Sequence, residues 1–539
     1  MARLPSEQDF EIPLDKTRFY RFFEMLPGLL SLTMVALTFI LSAINPLWGS
    51  IYILAIIIIV FIKGLALIAN SWVGFRAMRR ATIVNWHQRL ADLEAGEAFH
   101  DDDTEYYYAN HLRNIKNYQK YPKLYPRVSS VYHLVIIAAY NETADVLEPT
   151  VQSLINSSCD RKRMIVCLAY EERGGASIRQ TALSISKRYK KHFYDFVAVK
   201  HPKGLPNEII GKGGNISFAG RKMSQYLRQQ KIKSDNVITT TLDADNRPHQ
   251  AYFDYVAYEF ITRRNRQNLA FQPVALFLNN IWDTPAPVRV SAAGDSVFNT
   301  VNTARIHKIR NFAAHSQPMA TLEKMNFWSV RTIVEDGHQY WRSFFFLGGQ
   351  YDIIPIRVPI YQDAVLSSGY YKTLTDRFVQ VRRWAYGASD VPYVAEMIRR
   401  HNKNVPLGEA IFKFLELTEG HVAWSSTAIV VLLGGWIPLL FGRGDNVFVH
   451  QLPLTISAIQ TIAVVGIIST IILFFQTLPI RPSRYNKWRT LSMWLQWVIY
   501  PITAFFYGSA AAFYSQMRLM FGRYLTKFDV TDKNTVIKD

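Results

Sequence analysis

The sequence predicts an α/β domain built on a mostly parallel sheet and joined to apolar helices that cross a bilayer. Three observations carry this expectation: short apolar runs alternate with helical periods between residues 130 and 400, acidic residues close several of those runs, and long apolar stretches flank the region on both sides. Strands that alternate with helical stretches pair in parallel, with helices on both faces of the sheet.

Strands are expected at 134–140, 164–169, 196–199 and 237–242, the first followed by a helical period at Leu147, Val151, Leu154 and Ile155. In such sheets ligands bind beyond the carboxyl ends of the strands. Those ends carry Tyr140 and Glu142, then Glu171 and Glu172, then Asp243 and Asp245.

The spans come next. Stretches 27–44 and 51–72 are each near the ~20 residues that cross a bilayer, and an uncharged turn joins them. Arg18 and Arg21 precede this hairpin and Arg76, Arg79 and Arg80 follow it, so both ends belong on the cytoplasmic side. A second hairpin is expected at 422–441 and 452–475. Lys63 lies inside the second stretch, where snorkelling to the interface is the simplest reading. A further stretch, 491–514, is long enough to cross, yet it holds Pro501 and Gly508 and precedes basic Arg518, Arg523 and Lys527.

Composition agrees with a membrane-attached domain. Of 539 residues, 49% are hydrophobic and 19% charged, too apolar for a disordered chain and too charged to be span throughout. The 61 Lys and Arg exceed the 42 Asp and Glu by 19, a surplus that suits a phosphate-bearing substrate, anionic lipid or nucleic acid without separating them. The two cysteines, Cys159 and Cys167, lack metal-ligand spacing and read as packing residues of a reducing compartment.

Four groups of residues carry chemistry. Asp243 and Asp245 crowd two carboxylates into a turn, the donor set that Mg²⁺ or Mn²⁺ takes with a nucleotide diphosphate; an Asp-rich turn is the alternative. Lys212 and Asn215 lie in Gly211-Lys-Gly-Gly-Asn ahead of a helical stretch, a phosphate cradle or a basic loop. Glu335 and Asp336 offer a general base, or else cap a helix. Gln380, Arg383 and Trp384 share one helix face, where arginine can fork onto a diphosphate and tryptophan can carry a sugar ring; an amphipathic membrane-surface helix is the alternative.

In this order, and with Phe528-x-Val530-Thr531-x-Lys533 near the end, the motifs resemble membrane-embedded family 2 glycosyltransferases of the processive type, the cellulose, hyaluronan and chitin synthases. The resemblance implies a GT-A-like, Rossmann-type domain on the cytoplasmic side of the plasma membrane, and a nucleotide-sugar donor linked to UDP. It also implies Mg²⁺ or Mn²⁺, a glycan or lipid-linked acceptor, no nucleic acid, and an export partner or homo-oligomer. Residue by residue, it assigns Asp336 as catalytic base and Asp245 with Asp243 to the metal. Tyr140, Glu142, Glu171, Lys212, Asn215, Asp243, Arg383, Phe528, Thr531 and Lys533 fall to the donor, and Glu335, Gln380, Trp384, His315 and Ser316 to the acceptor. Glu171 stands where relatives carry aspartate, and Val334 where they carry threonine. A tail that must reach a cytoplasmic site makes 491–514 interfacial or re-entrant, with bends at Pro501 and Gly508.

The expected organisation is therefore a cytoplasmic N-terminus (1–24), a transmembrane hairpin (25–72), a connector (73–129), the catalytic domain (130–365), amphipathic interface helices (366–420), a second hairpin (421–478), an interfacial segment (479–521) and a gating-loop-like tail (522–539). Two other functions fit parts of the pattern: transfer of one sugar to a lipid carrier, and a transporter or receptor with a cytoplasmic ligand domain.

Overall fold

A computed structural model describes residues 7–99, 106–442 and 447–526. Among them, eight strands form one sheet: β1 (Tyr132–Ala139), β2 (Met164–Glu171), β3 (Asp195–His201), β4 (Val237–Asp243), β5 (Arg247–Pro248), β6 (Leu269–Leu276), β7 (His315–Pro318) and β8 (Asp352–Tyr361), in the order β3-β2-β1-β4-β7-β6-β8-β5. The first four strands are those the sequence predicts, and they pair in parallel. β7 runs antiparallel between β4 and β6, β8 returns parallel to β6, and β5 closes the edge antiparallel. The mostly parallel α/β sheet is thus present, with an antiparallel strand let into it.

Alternation along β1 builds two cores. Leu134 and Ile136 face Ile216, Ala219 and Met223 of the helix Lys212–Gln229, while Val135 and Ile137 face Leu147, Val151, Tyr252 and Phe253 on the other side. Period-two alternation with both faces apolar gives a strand covered by helices on each side. Both cysteines are buried and unpaired.

Among the described residues, three helices are long and apolar enough to cross a membrane: Arg18–Ile44, Pro46–Ile83 and Val449–Thr477. The stretch 422–441 is not one helix. Its first part ends the helix Leu407–Gly434, and after Gly435 and Trp436 a short helix, Ile437–Phe441, takes over. Ser31, Ser425 and Gln516 tie Leu407–Gly434 to the first apolar helix through hydroxyl and amide contacts of 2.6–3.2 Å. Lys63 does not simply snorkel: its ammonium pairs with Glu419 on the neighbouring helix.

The stretch 491–514 breaks into Lys487–Leu495, Tyr500–Thr503, a π-helical turn at Ala504–Ala510 and the helix Ala511–Met520. Trp494 stacks on Phe475 at 3.8 Å, and Arg21 donates to the carbonyls of Leu519 and Met520. Arg21 opens the first apolar helix, so the chain leaves this segment beside that helix's starting end.

Candidate functional site

β4 ends in a tight turn. The Asp243 N–H donates to Asn246 Oδ1 (2.9 Å) and the Asn246 N–H returns to Asp243 O (3.1 Å), an Asx-type closure that crowds Asp243 and Asp245 together. The N–H of Asp363, just past the end of β8, donates to Asp245 Oδ2 (3.0 Å), and Asn279 Nδ2 donates to Asp245 O (3.0 Å). Two strand ends therefore fix one acidic turn.

Lys212 opens the helix Lys212–Gln229 and is almost wholly buried. Its Nζ lies 3.0 Å from Asp243 Oδ1 and 3.4 Å from Asp336 Oδ2, and donates to Ala313 O (2.9 Å). Burial acts to lower the lysine pKa, but the charges of Asp243, Asp336 and Glu335 outweigh it and raise it above its ordinary value. One ammonium thus links the strand-end acids to Glu335-Asp336, which form the first turn of the helix Glu335–Phe346.

The two neighbouring acids differ. Glu335 is 2% exposed, and burial first, then the charge of Asp336, pushes its carboxyl up to about 8 against the pull of Lys212 and Arg383. Both effects favour its neutral form. The Asp336 side chain is 18% exposed and faces His315 Nδ1 at 3.8 Å. Burial lowers the His315 pKa, and its hydrogen bonds fit one neutral tautomer: Nδ1–H donates to Phe312 O (2.8 Å), and Nε2 accepts from Trp328 Nε1–H (3.3 Å).

At the neighbouring strand ends, Tyr140 N–H donates to Glu142 (2.6 Å). Glu171 is buried, accepts two bonds from Arg173, and lies 3.1 Å from His201 Nδ1. His201 Nε2 meets Glu208 at 3.0 Å. Burial acts to lower the His201 pKa, but the two carboxylates together outweigh it and bring it to about 9. Asn215 lies beneath the strand ends, its amide donating to Ala169 O (2.9 Å) and Ala139 O (3.4 Å).

Gln380, Arg383 and Trp384 lie on the helix Tyr370–Ala385. Arg377 holds Gln380 (2.5 Å), pairs with Asp295, and sits 5.1 Å over the Trp384 ring. Trp384 packs with Phe277 and joins the cluster that includes Ala364, next to the Asp363 that pins Asp245. Arg383 is close enough for its charge to act on Glu335.

The structure brings together Lys212, Asp243, Glu335, Asp336 and His315, with Asp245 adjoining. Ser316 stays apart: it is fully buried, its Oγ bonded to Thr240 (2.7 Å) and Tyr252 (2.8 Å) inside the sheet. Phe528, Thr531 and Lys533 lie outside the described residues. The chain leading to them packs Leu525 with Ile333 and, at the edge of that cluster, Val334, directly ahead of Glu335. Asp363, Arg377 and His201 belong to the surroundings of the site without having been singled out in the sequence. Asp363 carried a signal, an acid closing a strand, but the prolines of β8 concealed the strand.

The donor set fits a divalent ion brought by a diphosphate. Among the described residues no three His, Cys, Asp or Glu side chains gather as a self-sufficient metal site, and two carboxylates leave the remaining positions to substrate oxygens and water.

No family model and no curated protein matches the sequence. Among solved structures, the mannosyltransferase PcManGT from Pyrobaculum calidifontis, solved with GDP-Man and Mn²⁺, is similar over 81% of this chain and 97% of its own, at 14% identity and a TM-score of 0.36. TarS from S. aureus is similar over 60% of this chain and 55% of its own (11% identity, TM-score 0.29), and its 1–349 segment, solved with UDP-GlcNAc, over 60% and 91% (10%, 0.30). Likeness at these TM-scores decides neither site nor activity.

Proposed function

We propose that the chain is a membrane-bound inverting glycosyltransferase that moves a sugar from a nucleotide donor, UDP-linked, onto a growing glycan on the cytoplasmic side of the membrane. The observation that carries this reading is the Lys212 bridge. A single buried ammonium contacts Asp243 of the Asp-x-Asp turn and Asp336 of the Glu-Asp pair, so the two acids that donor and acceptor chemistry need are neighbours in space.

On this reading Asp336 removes the proton from the acceptor hydroxyl. It is the partly exposed member of the pair, while Glu335 is buried behind it. Burial and the charge of Asp336 raise the Glu335 pKa and so favour its neutral form beside the base. His315, held neutral, borders Asp336 without neutralising it. Asp243 and Asp245 would hold Mg²⁺ or Mn²⁺, which supplies positive charge for the leaving diphosphate when bound. Lys212 and Arg383 add fixed cations beside it, and Trp384 offers an apolar ring face to the acceptor. Attack from the face opposite the diphosphate inverts the anomeric carbon.

Purified protein incubated with a panel of nucleotide sugars and Mn²⁺ should release nucleoside diphosphate, with product length separating polymer from single transfer. Asp336→Asn should lower turnover by about 10²–10⁴-fold, the contribution of a general base, while donor binding survives. Unchanged turnover removes Asp336 as the base.

A further inference from the structure

The segment ahead of the first apolar helix is docked on the α/β domain. Phe10 is buried in one core cluster with Tyr340, Trp341, Phe344 and Phe345, all from the helix whose first turn holds Glu335 and Asp336. Its ring stacks on His401 at 4.5 Å and meets Phe346 edge-on at 5.3 Å, and its carbonyl accepts from Tyr393 Oη (2.8 Å). A buried aromatic held at ring and carbonyl fixes the residue that follows it.

That residue is Glu11. One of its carboxylate oxygens accepts from Ser329 Oγ and from the Ile12 N–H (3.0 Å), and the other lies 3.6 Å from the Arg342 guanidinium. Burial acts to raise the Glu11 pKa, but Arg342, Ser329 and His338 outweigh it and lower it. Arg342 sits about two turns along the helix from Asp336 and donates to Phe327 O (2.7 Å) and Met325 O (3.0 Å). Arg331 adds a bond to Ile12 O (2.6 Å). Glu11 therefore joins the acid-bearing helix to the loop that leads into it.

Ser329 carries this tie to the acidic cluster. A Cβ at Gly213 would stand 2.5 Å from Ser329 O and 3.1 Å from Glu335 Cβ, so the loop, the Glu-Asp turn and the residue after Lys212 meet with no room for a side chain between them. The adjoining Trp328 O accepts from Ser217 Oγ (2.6 Å), on the helix that Lys212 opens. Moving Ser329 would move all three.

We propose that Glu11 is a positioning residue for the Glu335-Asp336 pair: by holding Ser329 and Arg342 at once, it sets the acid-bearing helix against Lys212. The inference rests on the glycosyl-transfer reading for what the positioned acid does, while the clamp itself rests on these contacts. Residues 13–16 lead from it to Thr17, whose side chain caps the first apolar helix, so the clamp also ties the acid-bearing helix to that helix.

The test uses the full chain in detergent, as parent, Glu11→Gln, Ser329→Ala, the double variant, and Asp15→Asn, an exposed acid of the same segment. UDP release from UDP-glucose and UDP-GlcNAc with Mn²⁺, and amide hydrogen exchange followed by mass spectrometry, are measured on each. Glu11→Gln should lower kcat about 10–100-fold, the effect of a small misplacement of a reacting group, with the donor KM within about twofold of the parent's. Exchange should quicken in 325–346 and keep the parent's rate in β1 and β2, a local pattern that general destabilisation does not produce. The double variant should fall little below Glu11→Gln, because both changes cut one tie, and Asp15→Asn should match the parent. Parent-like kcat for Glu11→Gln in an active series overturns the proposal, and so does exchange that is unchanged in 325–346 or quickens throughout the domain. If the parent releases no UDP, the UDP-sugar reading fails separately and the exchange pattern alone decides the clamp.

Discussion

Replacing Lys212 by methionine keeps the length of the side chain and removes an ammonium that contacts both Asp243 and Asp336. Truncating one partner of a buried ion pair costs about 3–5 kcal/mol, because the remaining charge stays desolvated. Here the carboxylates left behind are not sealed: the side chains of Asp243 and Asp336 are 30% and 18% exposed, so water recovers part of the loss. We therefore expect less than that range, roughly 2–3 kcal/mol, which for a domain of this size is about 4–12 °C in the unfolding midpoint.

The sign of the metal effect is the sharper part. Without Lys212 the acids lose a cation that offsets their charge, so a divalent ion gains more from binding there than it does in the parent protein. Thermal unfolding followed by tryptophan fluorescence, with and without Mn²⁺, should show a larger midpoint increase for Lys212→Met than for the parent. Lys212→Arg should fall between them. If Lys212→Met unfolds at the parent's temperature and Mn²⁺ affects both alike, Asp243 and Asp336 are not electrostatically coupled through Lys212 and the common site dissolves.

Other perturbations test separate parts of the structure. The His201 pKa is raised in the fold from 6.5 to about 9, so its contribution is fully present below the unfolded value and is lost as pH rises through that window; the upper limit is about 3 kcal/mol, reduced by solvent screening. The parent's unfolding midpoint should fall across it, and that of His201→Gln should fall less. Lys63→Leu should leave Glu419 unpaired on an apolar helix, at a cost of a few kcal/mol; Lys63→Leu with Glu419→Leu should recover much of the loss in a thermal double-mutant cycle. Additive losses would show that the pair does not interact.

What could be read from the sequence follows burial and local pattern. β1 and β2 are near-continuous apolar runs, because helices cover both faces, and β3 and β4 keep shorter apolar cores at Phe196–Val199 and around Val237, Ile238 and Leu242. β6 and β8 hide behind Pro273, Pro355 and Pro359, which argue against central strands; the sheet absorbs them with a register shift after Pro273. β7 is four residues of polar character, His315-Ser-Gln-Pro, and only its place between β4 and β6 makes it a strand. The same division holds at the site. Asp243, Glu335, Asp336 and Lys212 announce themselves through neighbours in the chain. His201 does not, because its meaning depends on Glu171, its partner in the β2–β3 register, and on Glu208. Nor could Lys63 reveal a partner 356 residues away.

The position of Lys212 also bears on the order of events in the proposed reaction. Its ammonium cannot hold Asp243 and Asp336 at full strength while also serving a diphosphate, since all draw on the same three donors. Seating a donor beside Asp243 gives Lys212 phosphate oxygens to bind in place of carboxylates, and its hold on Asp336 weakens. Asp336 then becomes free to accept the acceptor's proton only after the donor has arrived. A site wired this way guards its base until there is an anomeric carbon to attack, and it does so with a contact of 3.4 Å, long enough to be exchanged and short enough to be felt.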